Sequence, residues 1–254
     1  MTSNNPQSTS SIAPHPPLQD YYETEEQRRQ LLDEQFDHIA PDYNWITQAT
    51  SFGSGNRYRQ EALKRSGLIE GHSILDVACG PGTVSLGAQR IVGETGKVVG
   101  LDPSLGMVTE AQKQGVSKVL QGKAEGLPFP DSTFDFVSMG YALRHVTDLT
   151  LAFKEYLRVL KPGGQLLILE ISRPDAFLPY HVSRFFLKQV VPLISYLGTK
   201  NPHAHKLMKY YWDTIETCVP PETILHALEN SGFLQSQQYT LFGGLLRDYT
   251  GSKP

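Results

Sequence analysis

The stretch of residues 73–102 constrains the fold of this chain more than any other part of the sequence. A short apolar run ends at Asp76 and leads into the turn Gly80-Pro81-Gly82, which is followed by a segment of helical character, residues 84–92. A second apolar run then ends at Asp102. A strand, a glycine-rich turn, a helix, a strand and an acid in this order predict a βαβ unit with a nucleotide-binding crevice at the carboxyl edge of its strands.

The charges around the turn indicate which nucleotide the crevice binds. A dinucleotide fingerprint requires a third glycine, but Ser85 occupies that position, and Asp76 would repel a pyrophosphate. An acid at the end of the first strand suits a cofactor with a cationic amine, such as S-adenosylmethionine. Gly80 and Gly82 let the backbone approach the methionine part, and Asp102, 22 positions beyond Gly80, can accept hydrogen bonds from both ribose hydroxyls. The alternative is an ordinary βαβ turn without a ligand.

Length and composition are those of a single α/β domain. The 254 residues suit one domain with additions, and a net charge of -3 without a basic run does not predict a nucleic-acid partner. The two cysteines, Cys79 and Cys218, form neither a disulfide framework nor a metal-ligand spacing, so we expect a reducing, cytoplasmic setting and no metal.

The N-terminal part is expected to form a tail and a helical flap ahead of the nucleotide-binding unit. Residues 1–20 are rich in Ser, Pro and Asn and lack periodicity, which predicts a disordered tail, and they contain no apolar segment typical of a signal peptide. Residues 21–70 are predicted to form the flap, with a capped helix over residues 24–39 that ends before Pro41. Tyr43 and Trp45 after this helix either pack in the core or cover the cofactor.

The alternation of strands and helices continues beyond Asp102 and predicts a doubly wound, Rossmann-like sheet. Five further strands are predicted, the last two as a closing antiparallel hairpin: residues 116–121, 134–139, 165–171, 233–241 and 245–249. The expected fold class is therefore α/β, with a seven-stranded, mostly parallel sheet in one domain over residues 21–254.

Further residues after the second strand are expected at the cofactor. A helix over residues 104–112 places Met107 on its inner side. The turn after the third strand borders the adenine in this geometry, where the backbone N–H groups of Lys123 and Ala124 can bind ring nitrogens. Gly140 follows the fourth strand at a point where a larger residue would collide with the methionine part.

Residues 174–217 interrupt the alternation and are predicted to form an inserted helical lid. Within it, residues 176–198 are rich in Phe, Leu and Val, but Arg184, Lys188 and Pro192 argue against a membrane span. This segment is a lid over an apolar substrate, an interfacial segment, or a helix packed on the sheet.

Two motifs resemble those of a known family. Residues 158–172 follow an R-V-L-K-P-G-G…E-x-S signature, and residues 143–148 stand where the family has L-R-N-V-T-D. From about residue 36 to residue 253 the chain resembles the ubiquinone/menaquinone-biosynthesis C-methyltransferase family, a branch of the class I methyltransferases. The resemblance implies the class I methyltransferase fold and S-adenosylmethionine as cofactor. By resemblance, the cofactor contacts carry over to Asp76, Gly80, Pro81, Gly82, Asp102, Lys123, Ala124 and Gly140.

The chain departs from the usual residues of that family at several positions. Gly55 replaces a usual His, Tyr58 a usual Trp, Lys123 an Asn or Asp, and His145 an Asn. Lys123 can still act through its backbone. Because Gly55, Tyr58 and His145 are expected near the acceptor, these departures concern the identity of the substrate more than the reaction.

The catalytic candidates are Arg144, His145 and Tyr141. In-line transfer of a sulfonium methyl needs a nucleophile held about 3–3.5 Å away, so most of the catalysis is positioning. By resemblance, Arg144 orients or activates the acceptor oxygen, but a guanidinium stays protonated and is a poor base. His145 is the more natural base at neutral pH, and Tyr141 lines the acceptor ring together with Tyr43. The alternative for Arg144 and His145 is a surface pair at the start of a helix.

The sequence thus predicts an S-adenosylmethionine-dependent methyltransferase that acts on a ring carbon of a prenylated quinol or a related phenol. Two alternatives stay open: an O- or N-methyltransferase of a soluble small molecule, and a non-catalytic cofactor-binding scaffold subunit. The expected partner is an apolar aromatic small molecule and not a nucleic acid. We expect a cytoplasmic protein and leave open a peripheral contact with the inner face of the membrane, a homodimer and a quinone-synthesis complex.

Overall fold

The computed structural model describes residues 11–51 and 53–254. Residues 1–10, half of the predicted tail, lie outside the described residues, as does Phe52. The strands are β1 (Ser73–Val77), β2 (Lys97–Asp102), β3 (Val119–Gln121), β4 (Phe134–Gly140), β5 (Leu160–Ile171), β6 (Leu234–Leu241) and β7 (Leu246–Ser252). They form one seven-stranded sheet in the order β3-β2-β1-β4-β5-β7-β6.

The strand pairing confirms the predicted doubly wound sheet. β1 pairs in parallel with β2 and β4, β3 extends the sheet beyond β2, and β5 extends it beyond β4. β7 runs antiparallel to both β5 and β6, as the predicted closing hairpin requires. Since the strand order reverses between β1 and β4, the carboxyl ends of these two strands border the crevice where open α/β sheets bind ligands.

Helices cover the parallel part of the sheet. For this reason the central strands are continuous apolar runs, and Ile74, Leu75, Phe136 and Val137 are fully buried. A 3-10 turn at Leu143–His145 follows β4. The α-helices are α1 (Glu25–Thr50), α2 (Gly55–Arg65), α3 (Thr83–Val92), α4 (Leu105–Lys113), α5 (Leu149–Val159), α6 (Phe177–Phe185), α7 (Val191–Thr199), α8 (Pro202–Thr217) and α9 (Pro221–Asn230).

The first helix begins as predicted but continues past Pro41. Thr24 provides the predicted capping box of α1. The prediction that the helix ends before Pro41 is wrong, because α1 runs on to its end at residue 50. Proline lacks the backbone N–H that an interior helical position donates. Ile39, Ala40 and Ile46 are nevertheless buried on both sides of the proline, and this burial offsets the missing hydrogen bond.

Residues 11–20 pack on the domain, although the sequence predicts disorder for them. The Ile12 carbonyl accepts a hydrogen bond from the Leu149 N–H at 2.9 Å, and the Pro14 carbonyl accepts one from the Val219 N–H at 2.8 Å. His15 is buried. This segment contains neither helix nor strand, so its order depends on contacts with distant parts of the chain that no local pattern reveals.

The segments predicted as flap and lid pack against each other. α1 contacts both α7 and α8. The three helices share an apolar cluster that includes Ile39, Ile46, Val191, Leu207 and Tyr210. A π-helical turn, Phe186–Val190, joins α6 to α7. In the part of the chain that the structure describes, no helix combines the length and apolar character needed to cross a membrane.

Candidate functional site

The carboxyl ends of β1, β2 and β4 face α1 across a cleft that is partly open to solvent. Phe36, Tyr43 and Thr47 of α1 form one wall, and the turn after β1 forms the opposite side. The residues predicted at the cofactor or at the reaction that line this cleft are Asp76, Gly80, Pro81, Asp102, Met107, Gly140, Tyr141 and His145.

Asp76 is held rigidly at the base of the cleft. Its Oδ2 accepts a hydrogen bond from the Ser85 hydroxyl at 2.6 Å, and its Oδ1 accepts one from the Ser138 hydroxyl at 2.8 Å. Burial raises the pKa of Asp76 to about 6, although the two hydroxyl hydrogen bonds lower it. Among the described residues no cation lies within ion-pair distance of this carboxylate, although the charge of Arg59 lowers its pKa, and such a group suits the cationic amine of a ligand.

Asp102 connects the end of β2 to the turn after β1. Its Oδ2 accepts a hydrogen bond from the Gly80 N–H at 2.8 Å, and its Oδ1 accepts one from the Ser104 N–H at 3.0 Å. Burial raises the pKa of this carboxyl to about 7, against the effect of the two N–H donors. Each oxygen keeps a second lone pair that can accept from a ribose hydroxyl.

Gly82 shapes the turn without lining the cleft. Its φ is +88°, and a Cβ at this position would lie 2.3 Å from a methyl carbon of Val116. The close approach and the left-handed backbone both require glycine. Gly140 lines the cleft at the end of β4, and a Cβ there would lie 2.9 Å from a methyl carbon of Val84.

A second cavity adjoins the first and shares with it Phe36, Ala78, Pro103, Ala142 and His145. Lys123 and Ala124, which the sequence predicts at the adenine, line this second cavity. On the opposite side it is lined by Leu32 and Asp33 of α1. Two neighbouring cavities suit a ligand with two parts, such as a nucleoside bonded to an amino acid.

His145 lies where the two cavities meet. The described residues offer no hydrogen-bond partner to either of its ring nitrogens. Phe36 contacts the imidazole edge-on, with the ring centroids 5.4 Å apart. Burial, together with the positive charges of Arg144 and Arg28, holds the pKa of His145 well below its usual value. The imidazole is therefore neutral at pH 7, and it is a weak proton acceptor.

Arg144 does not line the cleft, which differs from the expected contact with the acceptor. Its side chain is fully buried and forms an ion pair with Glu170 of β5. The guanidinium also lies 4.4 Å from the centroid of the Tyr211 ring. Glu170 accepts a further hydrogen bond from the Leu143 N–H at 3.1 Å. The pair thus fixes the 3-10 turn that carries His145, so the geometry assigns Arg144 a positioning role.

Tyr141 follows β4 directly and adopts a positive φ of 62°. Such a conformation is strained for an aromatic residue, and strained residues are frequent at ligand sites. A hydrogen bond of 2.7 Å from the Tyr141 N–H to the Leu169 carbonyl holds it in place. Its ring lies under the guanidinium of Arg59, 4.9 Å from centroid to Cζ.

Sequence reasoning missed Arg59, which lines the cleft from α2. The available signal was its place in the segment that departs from the usual family residues at Gly55 and Tyr58. Tyr58 itself does not line the cleft; its hydroxyl donates a hydrogen bond to Asp248 of β7. The departure at this position therefore affects the packing of α2 on the sheet.

The sequence predicts no metal site, and this prediction stays open. Glu34 and His38 of α1 and His203 of α8 place ligating atoms within 4.8 Å of one another. None of the three lines the cleft or the adjoining cavity.

Comparisons with known proteins identify the group to which this chain is similar. Residues 22–253 match the ubiE/COQ5 methyltransferase family. The chain is 32% identical over 226 residues to "Ubiquinone/menaquinone biosynthesis C-methyltransferase UbiE" of Saccharophagus degradans, covering 86% of this chain and 90% of the relative. It is 33% identical over 239 residues to the demethylmenaquinone methyltransferase of Symbiobacterium thermophilum, covering 90% and 94%.

A solved structure shares the fold. Phosphoethanolamine N-methyltransferase 2 of Haemonchus contortus, in complex with S-adenosyl-L-methionine, superimposes with a TM-score of 0.60 at 17% sequence identity. The match covers 86% of this chain and 57% of that chain. At this identity the likeness shows the fold alone, which is that of the class I methyltransferases.

Proposed function

Because this chain belongs to the ubiE/COQ5 methyltransferase family, we propose that it methylates a ring carbon of a reduced, prenylated quinone. Family membership makes it an S-adenosylmethionine-dependent methyltransferase. The acceptor is proposed from relatives that are named for ubiquinone/menaquinone biosynthesis and for demethylmenaquinone. The observation that carries the proposal is the cleft itself, which has buried acids at its base and aromatic side chains along α1.

The acids and the turn bind the cofactor in this proposal. Asp76 attracts the cationic amine, and Asp102 accepts hydrogen bonds from the ribose hydroxyls while it holds the turn at Gly80. When bound, S-adenosylmethionine supplies a methyl group on a positively charged sulfur. Phe36 and Tyr43 line the side of the cleft formed by α1 and exclude water from the reacting groups.

His145 takes the ring proton in this proposal. After the methyl has bonded to the ring carbon, the hydrogen on that carbon leaves as a proton and aromaticity returns. Because aromaticity returns with its loss, this proton is acidic, and a weakly basic imidazole suffices to accept it. Tyr141 lines the acceptor ring, and Arg144 positions the turn on which His145 lies.

The test is an anaerobic incubation of the protein with S-adenosylmethionine and chemically reduced, short-tailed demethyl-quinols. Mass spectrometry should detect the gain of one methyl that depends on reduction and resists ether and ester cleavage. Oxidised quinones are the matched control. The absence of product, with cofactor binding verified in the same sample, would favour an O- or N-methyltransferase of a soluble molecule or a non-catalytic scaffold.

The lid surface supports a peripheral contact with a membrane that carries the prenylated acceptor. Phe177, Leu178, Val182, Phe185 and Leu197 of α6 and α7 each expose more than half of their surface. Exposed apolar side chains on amphipathic helices are typical of interfacial binding.

We expect the protein to co-sediment with anionic phospholipid vesicles and to lose this binding when Phe177 and Phe185 are both replaced by serine. A homodimer or a quinone-synthesis complex would bury the same surface. A doubled mass by light scattering, without vesicle binding, would contradict the membrane contact.

A further inference from the structure

Arg59 carries a positive charge into the cleft. It extends from α2, is half-buried, and lines the cleft beside Tyr43 and Tyr141. Among the described residues, no carboxylate lies within ion-pair distance of its guanidinium. Its neighbour Arg57 on the same helix, by contrast, pairs with Glu61 at 2.8 Å. A partly desolvated cation without a partner is unfavourable unless a ligand supplies the opposite charge.

The position of the Arg59 guanidinium depends on Gly55. A Cβ built at Gly55 would lie 2.6 Å from Nη1 of Arg59. The two residues are one helical turn apart, so the arginine side chain folds back over the first turn of α2 and occupies the space that a side chain at position 55 would take. The φ of Gly55 is not in the left-handed region, so the backbone does not require glycine there. The glycine leaves room for the arginine.

The guanidinium of Arg59 has donors available for a ligand oxygen. Its Cζ lies over the ring of Tyr141, 4.9 Å from the centroid, and a cation–π contact of this kind uses none of the five N–H donors in a hydrogen bond. Its charge also acts on the phenols of Tyr43, Tyr141 and Tyr211 and on the carboxyl of Asp76, with which it does not pair directly. An arginine with free in-plane donors binds carboxylates and phenolates better than it binds neutral groups.

We propose that Arg59, in the room that Gly55 provides, is the binding site for an anionic oxygen of the bound ligands. Two sources share this chemistry: the carboxylate of the cofactor's amino-acid part, and the ionised phenolic oxygen of the acceptor. The second source rests on the function proposed above, whereas the first does not.

The experiment compares Arg59→Gln with the matched variant Arg57→Gln on the same helix. Affinities for S-adenosylhomocysteine and for 5′-methylthioadenosine, which lacks the carboxylate, are measured by calorimetry, and kcat and KM are measured for a reduced quinol across pH. A lost charge-assisted hydrogen bond corresponds to about a 10- to 100-fold weakening. Arg57→Gln should leave all of these values unchanged.

The two sources give different results. If Arg59 binds the carboxylate, Arg59→Gln lowers the affinity for S-adenosylhomocysteine about 10- to 100-fold. The affinity for methylthioadenosine then stays unchanged. If Arg59 binds the phenolate, the affinity for both nucleosides stays the same, kcat/KM for the quinol falls, and its pH profile moves to higher pH. If Arg59→Gln changes neither affinity nor turnover relative to Arg57→Gln, the inference is wrong, even where the wild-type protein methylates quinols.

Gly55→Ala tests the same inference without removing a charge. Alanine is the better helix former, so we expect the thermal stability of this variant to be retained or raised. The added methyl group displaces the guanidinium, and the variant should therefore share the functional defect of Arg59→Gln. Retained stability together with wild-type ligand affinity and turnover would overturn the role of Gly55.

Discussion

The pKa of Asp76 predicts that cofactor affinity falls in mild acid. Burial raises this pKa to about 6 in the protein without ligand. At pH 7.5 roughly 97% of the Asp76 carboxyls are ionised, and at pH 5.0 roughly 9% are. In the proposed function the cationic amine of the cofactor binds the ionised form, so its apparent affinity should fall about tenfold, or about 1.4 kcal/mol, between these pH values.

The assay isolates the contribution of the amino-acid part of the ligand. Dissociation constants for S-adenosylhomocysteine and 5′-methylthioadenosine are measured by calorimetry from pH 5.0 to 7.5. In the proposed site both ligands present the same ribose to Asp102, whose pKa is also raised, to about 7, so its titration affects both. The pH dependence of the ratio of the two constants therefore reports titrating groups that contact the amine and carboxylate, which 5′-methylthioadenosine lacks. We expect this ratio to change about tenfold in the wild-type protein and to stay constant in Asp76→Asn.

The pH dependence of the free energy of unfolding tests the pKa values of the same two carboxyls. Their pKa values in the folded protein, about 6 and about 7, lie above the ordinary value of 3.8. The unfolded chain therefore binds fewer protons between about pH 4 and pH 7, and the free energy of unfolding falls as pH rises through this window. S-adenosylhomocysteine should raise the melting temperature more at pH 7.5 than at pH 5.0. An equal rise, or a constant ratio of the two dissociation constants, would refute the reasoning.

Three further substitutions test the structural roles assigned above. Glu170→Gln leaves the buried charge of Arg144 without its partner, so the free energy of unfolding from urea titration should fall by about 3–5 kcal/mol. A fall below about 1 kcal/mol would contradict a stabilising role for the ion pair. Gly82→Ala should lower the melting temperature more than Gly80→Ala. Both positions have a positive φ, but only at position 82 would the added Cβ meet a neighbour, at 2.3 Å. Equal losses of melting temperature would contradict the close approach at Gly82. Pro41→Ala restores an interior N–H to α1 and should raise the free energy of unfolding by up to about 3 kcal/mol; no gain would show that the helix compensates fully for its proline.

The turn after β1 and the acids at the carboxyl edge of the sheet could be predicted from the sequence because their determinants are local. Asp76, Gly80, Gly82 and Asp102 lie within 27 consecutive positions of one βαβ unit. Each strand ends where its apolar run ends, and the glycines permit one type of turn between them. The right-handed crossover of each βαβ unit fixes which face of the sheet its helix covers. The sheet and the two acids at its carboxyl edge were therefore predictable.

The part of the cleft around His145 depends on contacts between distant parts of the chain. Arg144 and His145 are adjacent in sequence, yet His145 lines the cleft, whereas Arg144 is buried outside it in an ion pair with Glu170. Arg28 of α1 donates hydrogen bonds to the carbonyls of Arg144 and Val146, at 3.1 and 3.2 Å, and so holds this turn from more than 100 positions away. No local pattern encodes such a contact.

The same distinction explains the remaining differences. The sequence by itself determined the strands, the turn and the acids, because hydrophobic runs and glycines act over a few neighbouring residues. Only the tertiary structure decided that α1 passes through Pro41, that residues 11–20 pack on the domain, and that Arg59 enters the cleft. In each case the arrangement is stabilised by burial and by hydrogen bonds to partners far along the chain. These contacts exist only once the chain has folded.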